Sequence, residues 1–247
     1  MSSIQLVIFD IAGTTVQDRG NVADAFITAF QEHGFEIPAE DVKEVMGFRK
    51  MDAIVLLLAK FAPTPQPSEG ETISSLLSPE EDVIRDTLVM QIHDRFIQNM
   101  ISFYLNDSAL APLPHAADVF ALLQQQGVKV ALNTGFTRAI TDTILHRLRW
   151  DERNENIDKV ICSDEVPRGR PYPDMINTLI ADLGIPAAEN VLKVGDTEVD
   201  VQEGRNAGCG KVVSVTTGAY TREQLASYHP DAIIDDLLEL IPIIEKA

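Results

Sequence analysis

Residues 7–15 read VIFDIAGTT, an apolar run that ends at an acid. A short, continuous run such as VIF is typical of a strand buried on both faces of a parallel sheet. Ligands bind such sheets beyond the carboxyl ends of the strands, which is where Asp10 stands. Two residues later, the position that would hold a second acid is Ala12. The stretch therefore predicts a site at Asp10 and raises the question of how this acid works without a partner.

Short apolar runs recur along the chain, at residues 128–132, 160–162, 191–194, 212–215 and 232–234. Amphipathic segments of helical length lie between most of them, at residues 116–126, 138–149, 173–183, 199–207 and 222–227. Strands and helices alternate, and the strands are apolar throughout rather than at every second residue. This pattern predicts an α/β fold with a doubly wound parallel sheet that helices cover on both faces.

The alternation stops after the first strand, where the chain shows helical patterns only, at residues 21–33, 39–45, 51–59 and 79–105. A stretch rich in Pro, Ser and Gly at residues 62–71 is typical of a loop. We therefore predict two domains. Residues 1–17 and 106–247 form the α/β core, and residues 18–105 form an all-helical cap.

The charge of the chain limits the partners that it can have. Thirty-eight acidic residues against twenty Lys and Arg give a formal net charge of −18, which opposes contact with a phosphate backbone. The chain has no signal-peptide pattern and no apolar stretch near the ~20 residues that span a bilayer. Its two cysteines lack metal-ligand spacing. These features predict a cytoplasmic protein without nucleic-acid or membrane partners, which still permits a small anionic substrate.

Polar residues follow the ends of four predicted strands. They are Asp10, then Asn133 and Thr134, then Ser163 and Asp164, and finally Gly195 and Asp196. Each of them alone reads equally as a helix cap, because Asp, Ser and Thr are preferred at that position. Since the carboxyl ends of parallel strands share one edge of the sheet, we expect these side chains to converge.

Four motifs occur in order: Asp10 with Thr14, Thr134 followed by Gly135, Arg170 in GRPYPD, and VGDTEVD with Asp196 and Asp200. This arrangement resembles the haloacid dehalogenase superfamily over essentially the whole chain. The resemblance implies a Rossmann-like core in which Asp10 attacks phosphorus and Thr134 holds a phosphoryl oxygen. Arg170 stands where the family usually has Lys.

The same resemblance implies a Mg²⁺ site. Asp10, Asp196 and the backbone carbonyl of Ala12 are oxygen ligands of the kind that Mg²⁺ prefers. Asp200 lies one helical turn beyond Asp196 and, in this interpretation, holds a metal-bound water. The alternative for Asp200 is a solvated acid in the first turn of a helix.

The details resemble the phosphonatase branch of the superfamily, which hydrolyses phosphonoacetaldehyde. They are DIAGTT, TGFTR at residues 134–138, VPRGRPYP at 166–173 and MGFRKMD at 46–52. The likeness implies that Lys50 forms a Schiff base with the substrate. It also implies that the residues of these motifs, Thr14, Met46, Gly47, Gly135 and Phe136, bind the substrate.

The presence of Lys50 and the lack of an acid at position 12 have one chemical explanation. Cleavage of a carbon–phosphorus bond expels a carbanion, and a protonated imine on Lys50 accepts its electrons, so an acid at position 12 is not needed. The amine must be neutral to add to a carbonyl. Its pKa must therefore fall through burial or a cationic neighbour, and Arg49 is adjacent in sequence.

Three positions depart from the phosphonatase pattern: Asn21, Ala53 and Phe136 stand where the family usually has Cys, His and Tyr. These changes affect the aldehyde end of the site rather than the phosphorus end. A phosphatase or phosphomutase of the same superfamily that acts on a small phosphate ester is therefore an alternative. A non-catalytic phosphate- or phosphonate-binding protein is another. Family members also pair through their caps, which implies a homodimer.

Overall fold

The computed structural model describes residues 4–61, 79–150 and 156–246, and the side chains of residues 79–82 are not described. The loop predicted at residues 62–71 lies outside these residues. Six parallel strands form one sheet: β1 (Leu6–Phe9), β2 (Lys129–Thr134), β3 (Lys159–Cys162), β4 (Val191–Gly195), β5 (Lys211–Val215) and β6 (Ala232–Ile234). Their order across the sheet is β3-β2-β1-β4-β5-β6. The order reverses between β1 and β4, and ligands bind at such a reversal.

Helices cover the sheet, as predicted. They are α5 (Ala116–Gln125), α6 (Arg138–Leu148), α7 (Asp174–Leu183), α8 (Glu198–Ala207), α9 (Arg222–Ala226) and α10 (Leu240–Glu245). Alternate residues of β1 enter two separate apolar clusters, with Val7 and Phe9 on one face and Leu6 and Ile8 on the other. All four side chains are fully buried. Burial on both faces explains the continuous apolar run and confirms the predicted fold class.

Strand β2 runs two residues beyond the predicted apolar run. Asn133 and Thr134 still pair with Ile161 and Cys162 of β3, and both polar side chains are buried. Apolar runs locate a strand but miss polar residues that the sheet continues to pair. Two polar side chains therefore enter the core at the carboxyl end of the sheet.

Four helices lie between β1 and α5 in the part of the chain that is described: α1 (Asn21–Gln31), α2 (Ala39–Glu44), α3 (Lys50–Phe61) and α4 (Pro79–Asn106). Phe26 of α1 stacks on Phe96 of α4, with ring centroids 4.3 Å apart. At the end of α4, Arg147 of α6 donates to the carbonyl oxygens of Tyr104 and Asp107 at 2.9 Å. This contact satisfies carbonyls that a helix terminus leaves free. That residues 18–105 form a separate cap domain stays a prediction.

Glycines allow the segment before α3 to lie directly on the sheet's loops. A Cβ at Gly135 would stand 2.4 Å from the carbonyl oxygen of Phe48. A Cβ at Gly47, where φ is +83°, would stand 2.4 Å from Oγ1 of Thr197. Any larger residue at either position would therefore push the segment away. Since α3 begins at Lys50, the two glycines fix where this lysine meets the core.

No helix within residues 4–61, 79–150 and 156–246 combines the length and the apolar character needed to cross a membrane.

Phe120 of α5 tests how the core is held together. Its ring lies 5.1 Å from that of Phe9 and 5.3 Å from that of Trp150, and it is fully buried. We expect Phe120→Ala to lower the free energy of unfolding by about 3–5 kcal/mol, because a buried aromatic ring is replaced by a cavity. Urea unfolding followed by the fluorescence of Trp150, the single tryptophan, measures this.

Leu122 lies on the same helix and is 37% exposed, so it provides a matched control. Leu122→Ala should change the free energy of unfolding by no more than about 0.5 kcal/mol. Equal losses in the two variants would contradict the packing described for α5.

Candidate active site

The turn after β1 presents Asp10 at the point where the strand order reverses. The N–H of Asp10 donates to the carbonyl oxygen of Val194 at 3.0 Å, which continues the pairing of β1 with β4. The hydroxyl of Thr15 donates to the carbonyl oxygen of Asp10 at 3.0 Å. Gly13 adopts a φ of +87°, and a Cβ there would stand 2.7 Å from Oδ2 of Asp196. The tight turn therefore brings the ends of β1 and β4 together.

Asp196 follows β4 and is fixed from both sides. The hydroxyl of Thr14 donates to its Oδ1 at 3.0 Å, and the N–H of Ala219 donates to its Oδ2 at 2.7 Å. A Cβ at Gly218 would come within 1.9 Å of Oδ2, so only glycine allows this approach. Our sequence reasoning missed Gly218 and Ala219. They follow β5, where the rule that pointed to the other strand ends also applies.

Burial raises the pKa of Asp196 well above its ordinary value, and the neighbouring charges of Asp10 and Asp200 raise it further. The pKa of Asp10 is also raised, chiefly by burial, although Arg170 opposes the shift. Two buried carboxylates at this edge of the sheet thus repel each other. Such a pair favours a bound cation.

Arg170 is fully buried and binds Asp10. Its Nη1 donates to Oδ1 of Asp10 at 2.7 Å and lies 3.0 Å from Oδ1 of Asp200. Its Nη2 donates to the carbonyl oxygen and to Oδ1 of Asn133, at 2.7 and 2.8 Å, and its Nε donates to Glu203 at 3.1 Å. A planar guanidinium can hold these partners at once, whereas a lysine ammonium has only three donors.

Lys193 and Glu203 complete this network, and our sequence reasoning missed both. Nζ of Lys193 lies 2.8 Å from Oδ1 of Asn133 and 2.9 Å from Oδ1 of Asp200. Glu203 accepts hydrogen bonds from Nδ2 of Asn133 at 2.9 Å. The available signal was Lys193 itself, a charged residue in the otherwise apolar strand VLKVG. A charge inside a fully buried strand indicates a buried partner.

The structure corrects one alternative for Asp200. This acid is in the first turn of α8, but it is buried rather than solvated. Its Oδ2 accepts a hydrogen bond from the hydroxyl of Thr197 at 2.6 Å. Burial acts to raise its pKa, but Arg170 and Lys193 outweigh burial and lower it. Asp200 therefore stays ionised and holds these two cations in place.

A small cavity lies between the carboxyl edge of the sheet and the segment before α3. Nine of the twelve predicted site residues line it: Asp10, Ala12, Met46, Gly47, Lys50, Thr134, Gly135, Phe136 and Asp196. The other three lie behind the cavity. Thr14 contacts Asp196, Arg170 contacts Asp10, and Asp200 contacts Arg170. Val22 and Thr197 also line the cavity, and no sequence motif indicated either residue.

Lys50 enters this cavity from the first turn of α3. It is only 4% exposed, and its Nζ lies over the rings of Phe136 and Phe26, at 5.1 and 5.5 Å from their centroids. Burial lowers the pKa of Lys50 to about 8, Asp10 opposes this, and Arg170 adds to it. Within the described ranges no carboxylate lies within 4 Å of Nζ. The amine is therefore partly neutral near neutral pH.

The sequence left open whether the adjacent Arg49 faces Lys50. Arg49 turns away and donates from Nη1 to the carbonyl oxygen of Pro167 at 3.0 Å. A Cβ at Gly169 would stand 2.5 Å from the Cβ of Arg49, so this glycine lets the side chain pass. The cation that acts on Lys50 is Arg170, which sequence proximity did not indicate.

The donor set at the phosphorus end suits a hard divalent cation. Asp10, Asp196 and Ala12 border the same cavity. Across residues 4–61, 79–150 and 156–246, no three His, Cys, Asp or Glu side chains gather as a metal-binding cluster. Two carboxylates and a backbone carbonyl fit Mg²⁺, which keeps several waters and needs few protein ligands.

Comparisons with known proteins agree with this geometry. The haloacid dehalogenase-like hydrolase family matches residues 4–208. A phosphonoacetaldehyde hydrolase of Bacillus cereus (strain B4264) is 32% identical over 98% of this chain and 87% of its own length. One from Syntrophobacter fumaroxidans is 32% identical over 98% of this chain and 83% of its own length.

Among solved structures, a phosphonoacetaldehyde hydrolase-like protein of Oleispira antarctica superposes with a TM-score of 0.76. It is 25% identical, and the match covers 99% of this chain and 92% of that protein. The resemblance that the motifs indicated is thus confirmed. The chain is a hydrolase that belongs to the haloacid dehalogenase-like family and is similar to the phosphonoacetaldehyde hydrolases within it.

Proposed function

We propose that this protein hydrolyses the carbon–phosphorus bond of phosphonoacetaldehyde or a close phosphono-aldehyde, with Mg²⁺ as cofactor. The observation that carries the proposal is the buried amine of Lys50, which lines the same cavity as Asp10 and has a pKa lowered to about 8. The cleavage of a phosphate ester does not require such an amine. The cleavage of a phosphono-aldehyde does, because the amine can form an imine with the carbonyl group of the substrate.

The phosphorus end of the reaction relies on Asp10. Arg170 donates to its Oδ1, which leaves Oδ2 as the oxygen for attack on phosphorus. Thr134 lines the cavity beside it and supplies a hydroxyl for a phosphoryl oxygen. Asp10, Asp196 and the carbonyl of Ala12 would hold Mg²⁺, which would supply positive charge to offset the negative charge gathered there. Arg170 orients Asp10 and opposes the rise of its pKa that burial causes.

The carbon end relies on Lys50. The neutral amine adds to the aldehyde carbon, and loss of water with uptake of one proton gives a protonated imine. When the carbon–phosphorus bond breaks, phosphorus bonds to Asp10 and the electron pair moves toward the imine nitrogen, which gives a neutral enamine. Protonation and hydrolysis of the enamine release acetaldehyde and restore the amine. Water then cleaves the aspartyl phosphate to inorganic phosphate.

The main rival is a phosphatase or phosphomutase that acts on a small phosphate ester. Its leaving alkoxide needs a proton, and Ala12 has none to give. A protein that binds phosphate without turnover is the second rival. Phosphate release from phosphonoacetaldehyde and from sugar phosphates, measured side by side, separates the three functions.

Lys50→Arg tests the Schiff base directly. Arginine keeps the positive charge but cannot form an imine, so kcat for phosphonoacetaldehyde should fall by about a thousandfold or more. Borohydride added with the substrate should attach the carbon skeleton to Lys50, as mass spectrometry of the peptide would show. Lys60→Arg on the same helix is the control, because Lys60 is at the surface beside Asp41 and Glu44. Full activity in Lys50→Arg would reject the proposal.

Asp10→Asn separates the two ends of the site. The variant should release no phosphate, because the amide is not a nucleophile, yet borohydride should still trap substrate on Lys50. Removal of Mg²⁺ with EDTA should stop phosphate release from the wild type in the same way, and added Mg²⁺ should restore it. Phosphate release by Asp10→Asn at the wild-type rate would remove Asp10 from the mechanism.

We also propose that two chains pair through their helical segments. Val83, Ile84 and Met90 of α4 are each more than half exposed, and Leu56 of α3 is nearly so. Exposed apolar side chains in such number are typical of an interface. Ile84→Glu should convert a dimer into a monomer in light scattering, whereas Gln98→Glu on the same helix should not. A wild-type protein with the mass of one chain would refute the pairing.

A further inference from the structure

Two aromatic rings enclose the nitrogen of Lys50. Phe26 comes from α1 and Phe136 from the loop after β2, and both are buried. Their ring centroids lie 5.5 and 5.1 Å from Nζ. Both distances are within the ~6 Å at which a cation is attracted to the face of a ring. The attraction is strongest where water is excluded, which holds for this side chain.

Several charged groups face Lys50 from the elements around it. Asp10 and Asp196 lie at the ends of β1 and β4, Asp18 lies before α1, and Arg170 is behind Asp10. His93 on α4 also feels the charge of Lys50. None of the carboxylates in the described ranges is within 4 Å of Nζ. The rings are therefore its direct contacts for positive charge.

We propose that Phe26 and Phe136 form a cation clamp, which holds positive charge on the Lys50 nitrogen first as ammonium and then as protonated imine. This inference rests on the proposed function. It assigns Phe136 a second task beside lining the substrate cavity, and it gives Phe26 a task in the reaction.

The clamp has a definite consequence for protonation. Burial alone favours the neutral amine, and the ring faces oppose burial because they favour the cation. Rings with less negative faces should therefore lower the pKa of Lys50 below about 8. A looser pocket that admits water should do the opposite and raise the pKa toward the ordinary value of lysine. A weaker attraction to the rings and the entry of water thus shift the pKa of Lys50 in opposite directions, so a variant shows which of the two has occurred.

Fluorinated phenylalanines at position 136 test the clamp. Each added fluorine weakens the negative face of the ring with little change in its size. We would prepare proteins with phenylalanine, 4-fluorophenylalanine and 3,4,5-trifluorophenylalanine at this position. The readout is the reductive attachment of acetaldehyde to Lys50 by cyanoborohydride as a function of pH, followed by mass spectrometry of the peptide. It requires the amine but no cleavage of a carbon–phosphorus bond.

Attachment should increase with pH as the amine becomes neutral, with a midpoint near the pKa of Lys50. The midpoint should move to lower pH with each fluorine, by about one unit for the trifluoro ring. The same series at Phe120 is the control, because that ring packs against Phe9 and Trp150. It should leave the midpoint unchanged.

A midpoint that stays constant or increases across the series at position 136 would overturn the clamp. In that case, attachment to Lys50 in the wild type would leave the Schiff base of the proposed function intact. Failure of the wild-type Lys50 to take up acetaldehyde at any pH would overturn both the clamp and the Schiff base of the proposed function.

Discussion

Buried charge must be compensated, and this requirement organises the carboxyl edge of the sheet. Asp10, Asp196, Asp200 and Glu203 are buried there, and in the described part of the chain two cations contact this group directly, Arg170 and Lys193. Loss of one partner from such a network typically costs about 3–5 kcal/mol, since the remaining charge has no water around it. Asp200 and Glu203 each contact both cations, whereas among the cations of the described residues Asp10 contacts Arg170 alone. Negative charge therefore remains in excess at Asp10 and Asp196, where a divalent metal ion would balance it.

The carbon end of the cavity follows the opposite rule. Lys50 is a buried cation with no carboxylate within 4 Å among the described residues, and burial lowers its pKa. Gly47 and Gly135 make this arrangement accessible, because they let the segment before α3 approach the core without intervening side chains. One cavity thus combines the carboxyl group of Asp10, which Arg170 binds, with an amine whose pKa burial lowers. The proposed reaction uses both groups.

Much of this fold is predictable from sequence, and the limits have physical causes. Continuous apolar runs located all six strands, and the strand ends located Asp10 and Asp196, because burial on both faces leaves a clear pattern. The roles of Lys193 and Glu203 in the buried network were not predictable, because their partners depend on the order of the strands. That order brings together residues 60 or more positions apart. The contact of Phe26 with Lys50 was not predictable, because an apolar residue on a helix is typical of ordinary core packing. The orientation of Arg49 could not be predicted, because it depends on a contact with Pro167, which is 118 residues away in sequence. Lys50 itself emerged only through the family resemblance.

The cation clamp bears on the departures from the phosphonatase pattern. Ala53 is buried and brings no imidazole, and Phe136 brings no hydroxyl to the ring beside Lys50. The phenol ring of Tyr104 lies 6.2 Å from the ring of Phe136; its hydroxyl accepts a hydrogen bond from Asn21 at 3.4 Å, and burial raises its pKa far above the ordinary value. That phenol keeps its proton and offers no base. In this setting the nitrogen of Lys50 must retain its own proton through the imine stage, and the faces of two aromatic rings stabilise that charge without taking the proton away.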